Sequence, residues 1–201
     1  MKFFDRAESR IPQPWRTILD WIVTLAVAVV FVLAVQAEVA KPYRIPTPSM
    51  EPTLHCARPA ENCEGRFSDR VIANRLAYRF RDPERGDIVV FEAPATADRC
   101  GLNDGGSTFV KRIIGLPGEV VSERDGVIHI DGKRLVEPYV TPSRRGHATH
   151  AWPRVGPGQY FVLGDNRTLS CDSRAWGTVP RDNLIGPVTI TYWPPRRVSF
   201  R

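Results

Sequence analysis

Residues 108–131, TFVKRIIGLPGEVVSERDGVIHID, decide the fold class. Thr108–Ile114 and Glu119–Ser122 are short runs rich in Val, Ile and Phe, side chains that suit a pleated, half-buried surface. Val127–Asp131 alternates apolar and polar residues between two Asp-Gly pairs, Asp125-Gly126 and Asp131-Gly132, which is a hairpin signal. Working outward, Asp69–Leu76, Asp87–Phe91, Gln159–Leu163 and Ile185–Trp193 read as further strands. Strands and helix-length patterns do not alternate, so the expectation is a mostly β protein built on an antiparallel sheet or barrel. Ala93–Ser107 and Thr141–Gly158 are Pro/Gly-rich loops, and residues 121–159 read as a peripheral β insertion.

The 201 residues are enough for one well-buried core. With 18 Pro and 15 Gly, turns and strands are favoured over long helices. The formal charge is +6, but the arginines are scattered and no basic helix or aromatic-interleaved basic stripe occurs. Attraction to anionic lipid accounts for the sign, and no nucleic-acid partner is expected.

One segment departs from the β pattern. Trp21–Ala37, WIVTLAVAVVFVLAVQA, carries no charge and is bounded by Asp20 and Glu38. Extended by Ile18 and Leu19, it approaches the ~20 residues needed to cross a hydrocarbon core. Lys2, Arg6, Arg10 and Arg16 precede it, so the positive-inside rule puts residues 1–16 in the cytoplasm and everything after Glu38 outside. The expected organisation is a cytoplasmic tail (1–16), a transmembrane helix (17–38) and an extracytoplasmic β-rich domain (39–201). A cleaved signal peptide is the competing reading, since Val35 and Ala37 are acceptable before a cleavage site; the apolar run is longer than such peptides use.

Just beyond this run, Thr47–Leu54 reads TPSMEPTL, placing a serine in a Pro-bounded extended segment. A serine hydroxyl is a poor nucleophile unless a base takes its proton. None of the four histidines lies in a catalytic context; His147 and His150 belong to a polar loop. The chain has four lysines against twenty-four arginines. Lys2 is cytoplasmic by topology, Lys41 sits at the membrane boundary and Lys133 in a hairpin turn. Lys111 alone lies inside an apolar strand, where alternation puts it on one face with Phe109 and Ile113. Burial lowers the pKa of such an amine, by as much as ~3–5, from a reference of about 10.4. A third block, Gly164–Gly177 (GDNRTLSCDSRAWG), gathers Ser170, Asp172 and Arg174, which together can orient a neutral amine and fix a loop by a carboxylate–guanidinium pair. Asn166-Arg-Thr168 matches a glycosylation sequon and is read as incidental.

These three blocks, with Arg85-Gly-Asp-Ile-Val-Val-Phe91 as a fourth, resemble the boxes of bacterial type I signal peptidases, membrane-anchored Ser–Lys endopeptidases. They stand in family order, and the similarity runs from the anchor to Val188. The resemblance implies that Ser49 is the nucleophile and Lys111 the general base. Thr47 takes the place of a residue whose hydroxyl joins the Ser49 amide in the oxyanion hole. Ser170 corresponds to the serine that hydrogen-bonds the lysine, and Asp172 and Arg174 to the supporting pair. Ile45, Met50, Leu54, Phe109 and Val110 match positions lining pockets for the small residues before the scissile bond. The implied partners are signal peptides of exported preproteins and the bilayer of the cytoplasmic membrane; no metal or other cofactor is implied. Pro48, Thr168-Leu169 and Cys171 depart from the family pattern.

The cysteines Cys56, Cys63, Cys100 and Cys171 form no CxxC pair and show no metal-ligand spacing with histidine. For an exported chain, disulfides Cys56–Cys63 and Cys100–Cys171 are one reading and free buried thiols the other. Two other functions compete. A LexA-type self-cleaving Ser–Lys protein would carry a DNA-binding domain and a cytoplasmic cleavage segment, neither of which is found here. A membrane-anchored, disulfide-stabilised β binding module would tolerate loss of Ser49 and Lys111.

Overall fold

The computed structural model describes residues 13–100 and 107–201, apart from the side chains of residues 13, 14, 16, 34–38 and 98–100. The chain divides into two compact units, with the boundary between Val39 and Ala40. The first contains helix α1, Gln13–Val39, of 27 residues and therefore about 40 Å long. Its described side chains are exposed on every face, including Trp21, Leu25 and Phe31. Among the described residues no helix is long and apolar enough to cross a membrane; within the uncharged stretch of α1 the described side chains run only to Leu33.

The second unit is mostly antiparallel β. Its larger sheet contains β1 (Ala40–Arg44), β2 (Arg70–Asn74), β3 (Ile88–Glu92), β4 (Thr108–Gly115), β9 (Gln159–Leu163), β10 (Val179–Pro180), β11 (Leu184–Trp193) and β12 (Ser199–Phe200). The order is β1-β2-β11-β3-β4-β9-β10, with β12 added to β11. The sheet is open, so of the two expected forms, sheet or barrel, the protein takes the sheet. A smaller sheet of β5 (Val121–Arg124), β6 (Val127–Ile130), β7 (Lys133–Arg134) and β8 (His150–Ala151) is ordered β7-β6-β5-β8. The short helices α2 (Ala77–Phe80) and α3 (Ser173–Trp176) complete the unit.

The predicted strands recur with small changes. The run expected at Glu119–Ser122 pairs instead as Val121–Arg124, because Asp125 and Gly126 both take positive φ and place the hairpin turn directly after Arg124. β1 was not expected. Pro42 argues against a strand, yet β1 is an edge, where a missing N–H is tolerated.

Strand alternation builds two apolar layers on the large sheet. Val89 and Phe91 join Ile113, Val162 and Trp176 on one side. Ile88 and Val90 join Ile45, Met50, Leu54 and Val71 on the other. A third cluster, in which Val121 and Ile128 meet Ile114, Phe161 and Leu163, packs the small sheet on β4 and β9. The close approach requires Gly115: a Cβ there would lie 2.5 Å from Val121 and 2.9 Å from Phe161.

Candidate active site

Ser49 lies in a one-turn 3-10 helix, Pro48–Met50, preceded by Thr47 in extended conformation. Lys111 is the fourth residue of β4, opposite Val89 of β3. The two side chains come from segments 62 residues apart, and the Lys111 Nζ donates to Ser49 Oγ at 2.7 Å. Both are shielded, at 3% exposure for Lys111 and 7% for Ser49. Burial pushes the lysine pKa down to about 8, Arg174 pushing the same way while Asp172 and Asp165 oppose. An amine within hydrogen-bond reach of a serine hydroxyl, with a pKa near the working range, is the arrangement needed to activate that hydroxyl. Thr47 Oγ1 lies 3.2 Å from Ser49 Oγ.

The supporting loop is held as the sequence suggested for Asp172 and Arg174. Asp172 caps α3, and its buried carboxylate accepts from Arg174 Nε at 2.8 Å, from Nη2 at 3.0 Å and from the Gly164 amide at 3.1 Å. The same guanidinium donates to the carbonyls of Arg167 and Ser170, closing the loop on itself. Ser170 differs from expectation. Its Oγ is buried without a hydrogen-bond partner and makes no bond to Lys111. It instead stands against Gly164, where a Cβ would meet Ser170 Oγ at 2.2 Å and the Ser49 carbonyl at 2.5 Å. Gly164 therefore lets the loop close over the serine segment.

A cleft of about 370 Å³ opens over Ser49 and Lys111. Ile45, Met50, Phe109 and Val110 line it, as does Thr47. Leu54 does not: it is fully buried in the cluster beneath, with Ile45 and Met50, and supports the cleft from behind. Phe109 packs between Phe91 and Trp176, which fixes that wall.

Sequence reasoning missed the groups that hold this machinery from below. Asn166 donates its amide to the Ser49 carbonyl at 3.0 Å and its Nδ2 to the Pro48 carbonyl at 3.2 Å, clamping the serine turn. Asp165 beside it is fully buried and bidentate with Arg112, at 2.8 and 2.6 Å, and also accepts from Thr53 Oγ1. The Arg112 guanidinium lies over the Tyr139 ring, 3.8 Å from its centroid. One signal was available: Arg112 sits in the same apolar strand as Lys111, and a buried guanidinium requires a carboxylate.

Cys56 and Cys63 are disulfide-bonded. Cys171 is disulfide-bonded as well, whereas the side chain of Cys100, its expected partner, lies outside the described residues. Glu51, His55 and Glu64 bring potential metal-ligating atoms within 4.8 Å of one another. The Glu51 carboxylate is already engaged there, accepting from the amides of Cys56 and Glu64 and pairing with His55 Nδ1.

The chain belongs to the family described as signal peptidase, peptidase S26, which matches residues 18–193, and it is a hydrolase of that family. It is similar to probable signal peptidase I-1 of Synechocystis sp., with 38% identity over 94% of this chain and 89% of the relative. Signal peptidase I of Mycobacterium tuberculosis is 33% identical over 95% of this chain and 78% of its own. Signal peptidase IB of Staphylococcus aureus is 32% identical over 89% and 91%.

Proposed function

We propose that this protein is a membrane-anchored serine endopeptidase that removes N-terminal signal peptides from exported preproteins after small residues, using Ser49 and Lys111 as a dyad. The observation that carries the reading is the 2.7 Å bond between a buried lysine amine and the Ser49 hydroxyl. In the neutral form Lys111 takes the Ser49 proton as Oγ attacks the carbonyl carbon of the scissile peptide. The oxyanion is met by the Thr47 hydroxyl and the Ser49 amide, each donor contributing about 3–4 kcal/mol by analogy with other such sites. Breakdown transfers the proton from the Lys111 ammonium to the leaving amine, the new N-terminus of the mature chain, and leaves an ester on Ser49. Lys111 then takes a proton from water as that water attacks the ester, and returns it to Ser49 Oγ. Ser170 closes on the amine only if its buried hydroxyl turns toward it; Asp172 and Arg174 hold the loop that carries it.

Small side chains before the bond fit the cleft walls of Ile45, Met50, Phe109 and Val110. The anchor reading rests on the uncharged run Trp21–Ala37 within α1, with a single pass, residues 1–16 cytoplasmic and the catalytic unit outside. The test is preprotein processing in detergent by wild type and Ser49→Ala. The variant should fold and bind yet release no mature protein; processing at the wild-type rate would overturn the assignment.

A further inference from the structure

Beside the catalytic cleft lies a second, shallower depression of about 510 Å³, formed by residues 167–172, Arg174, Ala175 and Ala148. The two meet at Leu169 and Cys171, which line both. Two other depressions, around Arg134 and around Arg201, share no lining residue with the cleft. A polypeptide laid across Ser49 must continue past the reacting carbonyl, and an extended chain advances ~3.3 Å per residue. The depression that shares its lining with the cleft is the one such a chain enters next.

The chemistry of that rim is selective. The two guanidiniums in the depression are already neutralised, Arg174 by Asp172 and Arg167 by Glu137. Of the two side chains that line both the cleft and the depression, Leu169 is the more open, 44% exposed and apolar. A charged residue placed against its apolar side chain would lose water there, and the neighbouring guanidiniums, already paired, offer it little in return.

We infer that this depression receives the first residues of the mature chain, and that Leu169 makes the enzyme favour small or apolar residues over charged ones immediately after the scissile bond. The inference rests on the peptidase reading above. It is tested with peptide substrates identical up to the scissile bond and carrying Ala, Leu or Asp directly after it, cleaved by wild type, Leu169→Asn and Leu169→Ala. Wild type should prefer Leu to Asp by about tenfold in kcat/KM, the scale on which one apolar contact discriminates. Both variants should reduce that ratio severalfold while the preference for Ala over Val before the bond is retained. An unchanged ratio in both variants, no discrimination by wild type, or an equal loss of selectivity on both sides of the bond would each overturn it. No cleavage of any peptide by wild type would instead overturn the peptidase reading, and this inference with it.

Discussion

Lys111→Met is expected to abolish processing and at the same time to make the protein more stable. The catalytic loss follows from removing the one group, among the described residues, that is hydrogen-bonded to Ser49 and can take its proton, and general bases contribute roughly 10²–10⁴-fold. The stability gain follows from burial. A lysine whose pKa falls from 10.5 to about 8 on folding disfavours the folded state by on the order of 3 kcal/mol wherever both states are protonated. Between about 8 and 10.5 the unfolded chain holds more protons than the folded one, so stability rises with pH through that window and the cost disappears above it. Methionine removes the cost but also the bond to Ser49, worth about 1 kcal/mol. Near pH 7 the net gain is about 1–3 kcal/mol, a rise of several degrees in Tm, and it should vanish by about pH 11, above both pKa values. Thermal denaturation of wild type and variant at the two pH values checks it. A structural lysine would give the opposite result, with Lys111→Met less stable at pH 7 and processing retained.

Arg112→Met is expected to be strongly destabilising. It strands the Asp165 carboxylate, fully buried and now without its bidentate partner, at a cost of about 3–5 kcal/mol. Because Asp165 adjoins Asn166, whose amide holds the Ser49 carbonyl, the serine turn loosens and processing falls with stability. The double variant Arg112→Met/Asp165→Leu replaces the whole pair by apolar groups and should recover most of the lost stability, since no lone charge remains. Denaturation midpoints of the two singles and the double measure this. If the two single losses simply add, the pair is not coupled as the geometry requires.

The two kinds of site residue differ in how much of them could be read from the chain alone. Ser49 and Lys111 stood out because each broke a local pattern: a serine set between prolines just beyond an apolar run, and a rare lysine inside an apolar strand. Asp172 and Arg174 were legible because they interact two residues apart. Arg112 with Asp165 and Asn166 with Ser49 were not, because each pair joins distant segments, 53 residues apart for the first, and no periodicity relates their positions. Asn166 was further disguised by a sequon. In the fold, the long strands followed from Val, Ile and Phe content, whereas β1 escaped because edge strands admit proline and charge that interior strands exclude. Leu54 illustrates the converse error: motif position assigned it to the substrate, but packing turns it into the core behind the cleft.

The claim on which the mechanism depends is that Lys111 is neutral when Ser49 attacks. Single-turnover preprotein cleavage measured from about pH 6 to 10 tests it most directly. The account predicts a rate that climbs about tenfold per pH unit and levels off near pH 8, the pKa that burial imposes on Lys111. A limb centred near 6.5, the histidine value, or near 10.4, that of a solvated lysine, would contradict it.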